Sequence, residues 1–207
     1  MSESSFTHMF GVVARADEPE QSRGWVSVSP WFGPPEDELP ICVPLALVVA
    51  RSERAVIALS HASAYSTGIG IEFAVQSRGL PDREAQRLFH EQHMPPTEDD
   101  PAPAYLRLGV ELADGSRASN LGGRHQWHDP ERPPEGPVLA AHGGGGGSAG
   151  QGHVTMRPAF WIWPLPPPGV VRLVCEWPLL EIPLTTVELD GANLRAASER
   201  AVKLWDS

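Results

Sequence analysis

Four histidines near the glycine-rich part of the chain have the side-chain chemistry of a metal site. His125 and His128 are three residues apart with Asp129 adjacent, and His142 and His153 flank the glycine run. Imidazole and carboxylate groups at such spacings can converge on zinc or a similar ion. The first pair lies in a polar stretch where exposed histidines are common. The four are therefore weak metal candidates, and we expect no cofactor.

The glycine run also contains a serine in a pattern that hydrolases use. Gly146 to Gly150 matches G-x-S-x-G around Ser148, but that motif requires the serine on a strained turn between a strand and a helix. No helix pattern follows, and a match inside a glycine-rich run carries little information. A phosphate-binding loop is disfavoured too, because no lysine or helix start follows the glycines. We assign no catalytic residue and interpret residues 143–152 as a mobile loop.

Two tryptophans and three prolines follow one another in the chain: Trp161, Trp163, Pro166, Pro167 and Pro168. Successive strand residues point to opposite faces, so the two indoles share one side of their strand. If that side faces solvent, the rings form a platform for a peptide, a sugar or a proline-rich segment. If it faces inward, they belong to the core and pack against Trp177. These five residues are our candidate contact region, with both orientations open.

The elements that position these residues are predicted from alternation along the chain. Apolar residues recur at every second position in Ile69 to Ser77, Ala104 to Leu112 and Val171 to Trp177, which is typical of half-buried strands. The other face of these strands carries carboxylates that we interpret as solvated. Asp114-Gly115 predicts a hairpin turn. Leu45 to Arg51 is nearly all apolar and predicts a strand buried on both faces.

Many short strands without regular helix alternation predict a mainly β protein. We expect an immunoglobulin-like two-sheet sandwich, with a small barrel as the alternative. Two short helices are predicted, from Pro81 to about His93 and, at the C-terminal end, from Ala192 to about Leu204 with Asp190 as its cap. Residues 1–39 form a partly disordered arm in this interpretation, and residues 40–207 form the sandwich domain.

The charge and the cysteines limit the class of partner and the cellular location. The formal net charge is −10, which repels phosphate backbones and anionic lipids, so we expect no nucleic-acid or membrane binding. No apolar run is long enough to span a bilayer, and no signal peptide is recognisable. Cys42 and Cys175 both lie in apolar runs and are interpreted as buried thiols in a reducing cytoplasm, with one disulfide as the alternative.

The most specific strings of the chain are Trp-Pro-Leu-Pro-Pro-Pro-Gly at 163–169 and Glu-Trp-Pro at 176–178. Together with Val43-Pro44-Leu45 and the glycine run, they resemble a family of proteins from high-GC actinobacteria. The resemblance extends over most of the chain from about Trp31 onward. It implies a bacterial cytoplasmic origin, and it implies no activity and no catalytic residue.

The sequence leaves three functions of different classes. The leading hypothesis is a non-catalytic binding module that recognises a protein or peptide partner through the tryptophan and proline region. The second is an enzyme, or a binder of a small ligand or metal, with a site near the glycine-rich loop. The third is a self-associating structural module.

Overall fold

The structure, a computed structural model, describes residues 29–92, 104–121, 132–143 and 145–205. Within those ranges the chain forms thirteen β-strands, two α-helices and one 3₁₀ turn at Pro178–Leu180. The strands are β1 (Glu38–Leu39), β2 (Ile41–Arg51), β3 (Ala55–Ala64), β4 (Ile69–Ser77), β5 (Arg107–Glu111), β6 (Arg117–Ser119), β7 (Val138–Ala141), β8 (Gly145–Gly150), β9 (His153–Arg157), β10 (Ala159–Trp163), β11 (Val170–Trp177), β12 (Ile182–Asp190) and β13 (Val202–Lys203). The helices are α1 (Asp82–Glu91) and α2 (Gly191–Ser198). The predicted N-terminal arm lies outside the described residues up to residue 28.

The larger sheet has seven strands, all paired antiparallel. Its main order is β2-β3-β4-β10-β7, and β9 pairs with both β4 and β8. Strand β10 lies between β4 and β7, so Trp161 is opposite Gly70 on one side and Ala140 on the other. This placement in the sheet fixes the direction of every β10 side chain.

The smaller sheet has four antiparallel strands in the order β12-β11-β5-β6. The predicted turn at Asp114-Gly115 connects β5 to β6. Gly115 adopts a φ of 82°, a conformation that glycine reaches without a steric penalty. The Leu112 N–H donates to Ser116 O at 2.9 Å. The hairpin prediction is therefore confirmed.

The two sheets bury their facing sides against each other. The inward face of the larger sheet includes Ile57, Leu59, Ile71, Phe73 and Val75, and that of the smaller sheet includes Leu108, Val110, Leu173, Cys175 and Trp177. Each fully buried large apolar side chain stabilises the fold by roughly 1.5–3 kcal/mol. The prediction of a mainly β sandwich is confirmed, and the strands of the described ranges do not close into a barrel.

Both predicted helices form, and the second is shorter than predicted. Asp190 caps α2 as expected, because its Oδ1 accepts from Ala192 N at 2.9 Å and from Asn193 N at 3.1 Å. The helix ends at Ser198 instead of continuing to Leu204, and the chain then returns as β13 to pair with β1. Pairing with a strand near the start of the domain thus overrides the helical pattern of the last residues.

The expected burial of β2 on both faces is wrong. β2 is an edge strand of the larger sheet with two irregularities in its pairing to β3. Val48 is 42% exposed, and Ala46 has a φ of 46°. Cys42 on this strand is exposed, which corrects its prediction as a buried thiol, whereas Cys175 is buried as expected and both are free.

The glycine-rich segment is a strand and not the mobile loop expected over residues 143–152. Residues Gly145–Gly150 form β8 and pair with β9 through a turn at Gln151-Gly152, whose φ values are 51° and 75°. Positive φ at both turn residues matches the twist of tight hairpins. A Cβ at Gly147 would lie 2.6 Å from Phe89 Cε2 of α1. The missing side chain therefore lets the helix pack closely on this hairpin.

Candidate functional site

Trp161 and Trp163 lie on the outer face of the larger sheet, beneath another part of the chain. Phe160 and Ile162 between and beside them face the core. Trp161 is nevertheless 0% exposed, because residues 29–33, here called the strap, cover it. Its indole Nε1 donates to Pro30 O at 2.8 Å. Neither orientation considered from the sequence is found, because Trp161 is neither a solvent platform nor part of the central core.

The strap is folded into a turn by its own sequence. The Phe32 N–H donates to Ser29 O at 2.9 Å, with Pro30 and Trp31 at the central positions. Serine at the first turn position and proline at the second are favoured in β-turns. The turn places Trp31 edge-on against Trp163, with ring centroids 5.7 Å apart. Sequence reasoning missed this turn, although Ser29-Pro30 is an available signal for it.

Four rings lie together next to the strap, and we call this cluster the strap groove: Trp161, which is buried, Tyr65 and Trp163, which are partly buried, and His142, which is exposed. Tyr65 meets Trp161 edge-on at 5.6 Å between centroids, and His142 lies 6.5 Å from Trp161. Such aromatic pairs each add about 0.5–1.5 kcal/mol beyond the burial of their area.

Two glycines make room for this packing. A Cβ at Gly68 would lie 2.6 Å from Trp161 Cζ2 and 2.5 Å from Ile162 O, and a Cβ at Gly33 would lie 3.0 Å from His142 Nδ1. A side chain at Gly68 would collide with Trp161 and with the backbone of Ile162, and one at Gly33 would require the His142 ring to shift. The absence of a side chain at both positions therefore lets the strap and the groove approach closely.

Two ionisable groups of the groove, the partly buried Tyr65 and the exposed His142, have shifted pKa values. Burial raises the pKa of Tyr65, and the nearby carboxylate of Glu38 raises it further. Burial lowers the pKa of His142, which favours its neutral form. The buried Nε1 of Trp31 and Oγ1 of Thr67 have no hydrogen-bond partner among the residues that the structure describes. Buried donors of this kind usually find a partner.

Beside the groove, Glu38 ties three parts of the chain together. Its carboxylate accepts from Ser66 N at 2.9 Å and from Ser66 Oγ at 2.5 Å, and Lys203 Nζ lies 3.0 Å away. Burial alone would raise the pKa of Glu38, but the Ser66 hydrogen bonds and the Lys203 ammonium lower it overall. The same contacts raise the pKa of Lys203. Glu38 is therefore a saturated anchor for β1, β13 and the turn that follows Tyr65.

On the other side of β1 and β13, large apolar side chains are left in solvent. We call β1, β13 and the two residues that follow β13 the C-terminal ribbon. Leu39 is paired with Val202, and Leu204 N donates to Asp37 O at 2.8 Å, so alternation puts Leu204 on the same side as Val202. All three are about half exposed, and Trp205 is 71% exposed. Sequence reasoning missed this surface, because it predicted a helix there.

The predicted proline contact region is mostly used inside the fold. Pro166 is buried and its carbonyl accepts from Arg195 Nη1 at 3.2 Å. Gly191 N donates to Gly169 O at 2.8 Å, which fixes the turn to the start of α2. Pro167 is half-buried and Pro168 is exposed. Of the five predicted contact residues, Pro168 alone is freely accessible, Trp163 and Pro167 are partly so, and Trp161 and Pro166 are not.

Within the described residues, the metal and nucleophile candidates do not come together in one site. His125 and His128 lie outside the described residues. His142 belongs to the strap groove, whereas His153 starts β9 with its Nδ1 2.8 Å from Gln151 O. In the described ranges no group of three or more His, Cys, Asp or Glu side chains could hold a metal ion. Ser148 lies on β8 opposite Thr155, and a second strand follows it instead of the helix that a nucleophile turn needs.

The outer face of the smaller sheet carries a row of alternating charges. Glu188, Arg172, Glu111 and Arg117 lie opposite one another across all four strands. Arg172 reaches Glu111 at 2.8 Å and Glu188 at 3.0 Å. Hydrogen bonds from Arg172 and Arg117 lower the pKa of Glu111. Both carboxylates are held in ion pairs by arginines of the neighbouring strands.

Among the helices of the described ranges, none is both long enough and apolar enough to cross a membrane. Comparison with known proteins gives no relative to argue from: no family model matches the chain, and no curated protein or solved structure shows significant similarity to it.

Proposed function

We propose that this chain is a non-catalytic module that binds a protein partner through the apolar side of the C-terminal ribbon. The observation that carries the proposal is the exposure of Leu39, Val202 and Leu204 on one side of the ribbon, with the still more exposed Trp205 directly after Leu204. Contiguous exposed apolar side chains mark interaction surfaces in soluble proteins. Tryptophan is also enriched among the residues that dominate binding energy.

The charge around the ribbon indicates what kind of partner segment fits it. Glu36 and Asp37 are exposed next to Leu39, while Lys203 is held by Asp37 and Glu38. The whole chain carries a formal charge of −10. A partner segment with apolar side chains flanked by lysine or arginine matches both features, because complementary charge speeds encounter and selects among partners.

The ionisable groups of the described residues support binding more than catalysis. Glu38 is saturated by Ser66 and Lys203, and Glu111 by two arginines. The alternative from the sequence, a small-ligand or metal site beside the glycine-rich strand, gains no support from His142 or His153, which serve a ring cluster and a hairpin turn. A cytoplasmic location and the actinobacterial resemblance remain our predictions from the sequence.

The test compares two single substitutions at equally exposed apolar residues. Trp205 and Leu184 are 71% and 70% exposed, but Leu184 lies alone on β12 and outside the ribbon. We expect Trp205→Ala to remove most of the proteins that cross-link to the wild-type chain in cells, and Leu184→Ala to leave that set unchanged. Quantitative mass spectrometry of cross-linked complexes measures both. Equal partner sets for the wild type and Trp205→Ala would refute the proposal.

Self-association is separated from partner binding by the mass in solution. If the ribbon pairs two copies of the chain, sedimentation will show a dimer that Trp205→Ala converts to monomer. In that outcome the third function from the sequence, a self-associating module, replaces the one proposed here.

A further inference from the structure

We infer that the strap groove is a second binding site, for a segment with a proline-tryptophan turn, and that the chain's own strap occupies it. This inference does not rest on the C-terminal ribbon or on the proposed function. It is built from residues on the outer face of the larger sheet, with different side chains and a different class of ligand.

The contact between strap and groove has the chemistry by which proteins recognise proline-containing segments. An aromatic-lined surface receives the segment, and a buried indole N–H needs a hydrogen-bond acceptor. Here Trp161 Nε1 donates to the carbonyl of Pro30 at 2.8 Å. Tyr65 packs edge-on against Trp161, and Trp163 packs edge-on against Trp31 of the strap. The strap thus lies in the groove as a bound peptide would.

The strap can leave without breaking a sheet. Residues 29–33 belong to neither sheet, and the Phe32 N–H is bonded inside the strap's own turn. Trp161, in contrast, is held on both sides by β4 and β7. Removing the strap would uncover an aromatic surface that the sheet continues to position. Because the strap lies outside the sheets while Trp161 is held within one, we interpret the groove as a site that the strap covers and not as part of the core.

The contacts of the groove also indicate which residue types a competing segment needs at each position. The residue after the proline must be a large aromatic, because Trp31 packs edge-on against Trp163. The position of Gly33 favours a small residue, since a Cβ there would lie 3.0 Å from His142 Nδ1 and the ring would have to shift to admit it. The expected ligand is therefore a turn of the form proline, tryptophan, any residue, glycine. A plain polyproline segment lacks the second and fourth of these features.

Because the strap is attached to the same chain, it competes at high effective concentration. Short tethers give effective concentrations of about a millimolar or more, and a ligand's apparent affinity falls by the fraction of chains in which its site is open. A peptide added to the wild-type chain should therefore bind weakly. Weakening the strap should open the site to the same peptide.

The first experiment measures binding of a fluorescein-labelled peptide with the sequence of residues 29–35 to the full-length chain. We expect the variant Trp31→Ala to bind it about tenfold more tightly than the wild type, as relief of tethered competition predicts. A peptide with alanine in place of its tryptophan is the matched control and should bind neither chain. Adding Tyr65→Ala to the strap variant should weaken binding again.

Two outcomes overturn the inference. One is a Trp31→Ala chain that keeps the wild-type circular-dichroism spectrum and binds the peptide no better than the wild type. The other comes from hydrogen exchange of the unmodified chain, which needs no variant to fold. The Phe32 amide should exchange at least about tenfold faster than the Trp161 amide, because local opening precedes global unfolding. Equal rates would mean that the strap is inseparable from the sheet.

The experiment also separates the two sites. Peptide binding is repeated in the Trp31→Ala, Trp205→Ala double variant, and we expect the same affinity as in Trp31→Ala alone. Loss of peptide binding on that change would assign the peptide to the ribbon and refute a site in the groove. Failure of the cross-linking experiment on the ribbon leaves the peptide result unaffected.

Discussion

The two sheets of this sandwich cover their outer faces in different ways. The smaller sheet carries Glu188, Arg172, Glu111 and Arg117 in one row, and each charge is neutralised by its neighbour on the next strand. The larger sheet places Trp161 on its outer face and covers it with a separate piece of chain. The charged row of the smaller sheet needs no further segment to shield it from water. Trp161 of the larger sheet is shielded only while the strap lies over it.

This difference indicates where a switchable binding site can lie. Ion pairs at a surface contribute little to stability and leave no apolar area to expose when they break. An aromatic face beneath a strap holds buried apolar area in reserve, and that area becomes a binding surface once the strap departs. The larger sheet therefore carries the candidate peptide site. The charged side chains of the smaller sheet keep its outer face in contact with water.

The largest difference between the two faces is expected when one methyl group is added at a glycine of each. Gly68→Ala forces a Cβ to within 2.6 Å of Trp161 Cζ2, whereas the Cβ of Gly109→Ala would meet Ala118 O at 3.6 Å and Val174 Cβ at 3.8 Å. Overpacking of this kind costs about 1–3 kcal/mol, so we expect Gly68→Ala to lower the free energy of unfolding by about 3 kcal/mol.

Gly109→Ala is the matched control, since it adds the same atom to a strand of the charged face. We expect its free energy of unfolding to stay within about 1 kcal/mol of the wild type, because alanine removes the backbone entropy cost of a strand glycine. Urea denaturation measures both variants. Equal destabilisation by the two substitutions would contradict the packing difference between the faces.

A smaller effect is expected at the anchor that joins the groove to the ribbon. Glu38→Gln keeps the shape of the side chain but removes the charge that Ser66 and Lys203 bind. Hydrogen bonds to charged groups are worth about 1.5–3 kcal/mol, and we expect a loss in that range or slightly below it at pH 7.

The pH dependence of this loss has a definite sign. The pKa of Glu38 is lowered from its ordinary value of 4.5 in the folded chain, so its stabilisation is present above pH 4.5 and disappears as the pH falls through the folded pKa. The gap between wild type and Glu38→Gln should narrow below about pH 4.5 in urea denaturation. A gap of constant size from pH 7 to pH 3 would show that the Glu38 charge does not stabilise the fold.

Much of the fold could be predicted from the sequence, because apolar and polar residues alternate along every strand that has one buried face and one face in water. Val171 to Trp177 and the Asp114-Gly115 hairpin are of this kind. Prediction failed where pairing with a distant strand overrides the local pattern. The end of the C-terminal helix became β13, and the glycine run became β8, because each found a partner strand.

The candidate site could be predicted only in part. Alternation correctly places Trp161 and Trp163 on one face, but it cannot say what covers that face. The cover comes from residues 29–33, more than a hundred positions away, and only the folded chain brings the two together. The choice between platform and core therefore missed a third arrangement, a tryptophan buried outside the core.

The charge row should respond weakly to mutation and strongly to salt. Arg172→Ala breaks its pairs with Glu111 and Glu188, and exposed pairs are worth about 0.2–1 kcal/mol each. We expect a loss of about 1 kcal/mol in low salt that shrinks toward zero in 1 M sodium chloride. Gly68→Ala should show no such salt dependence. A salt-independent loss from Arg172→Ala would mean that this face is held by packing and not by charge.

The smallest effect is a shift in one histidine, and it reports directly on the strap. His142 lies against Gly33 of the strap and against Trp161, and burial lowers its pKa below the ordinary 6.5. His142 is exposed as a residue, but one edge of its ring lies against the strap. Removing the strap should return water to that edge and let the pKa of His142 rise. Titration of the His142 ring by NMR should therefore give a higher pKa in Trp31→Ala than in the wild type. Arg172→Ala, on the opposite outer face, should leave it unchanged. If Trp31→Ala also leaves it unchanged, the strap does not shield the His142 ring from water, and the proposed contact between strap and ring is wrong.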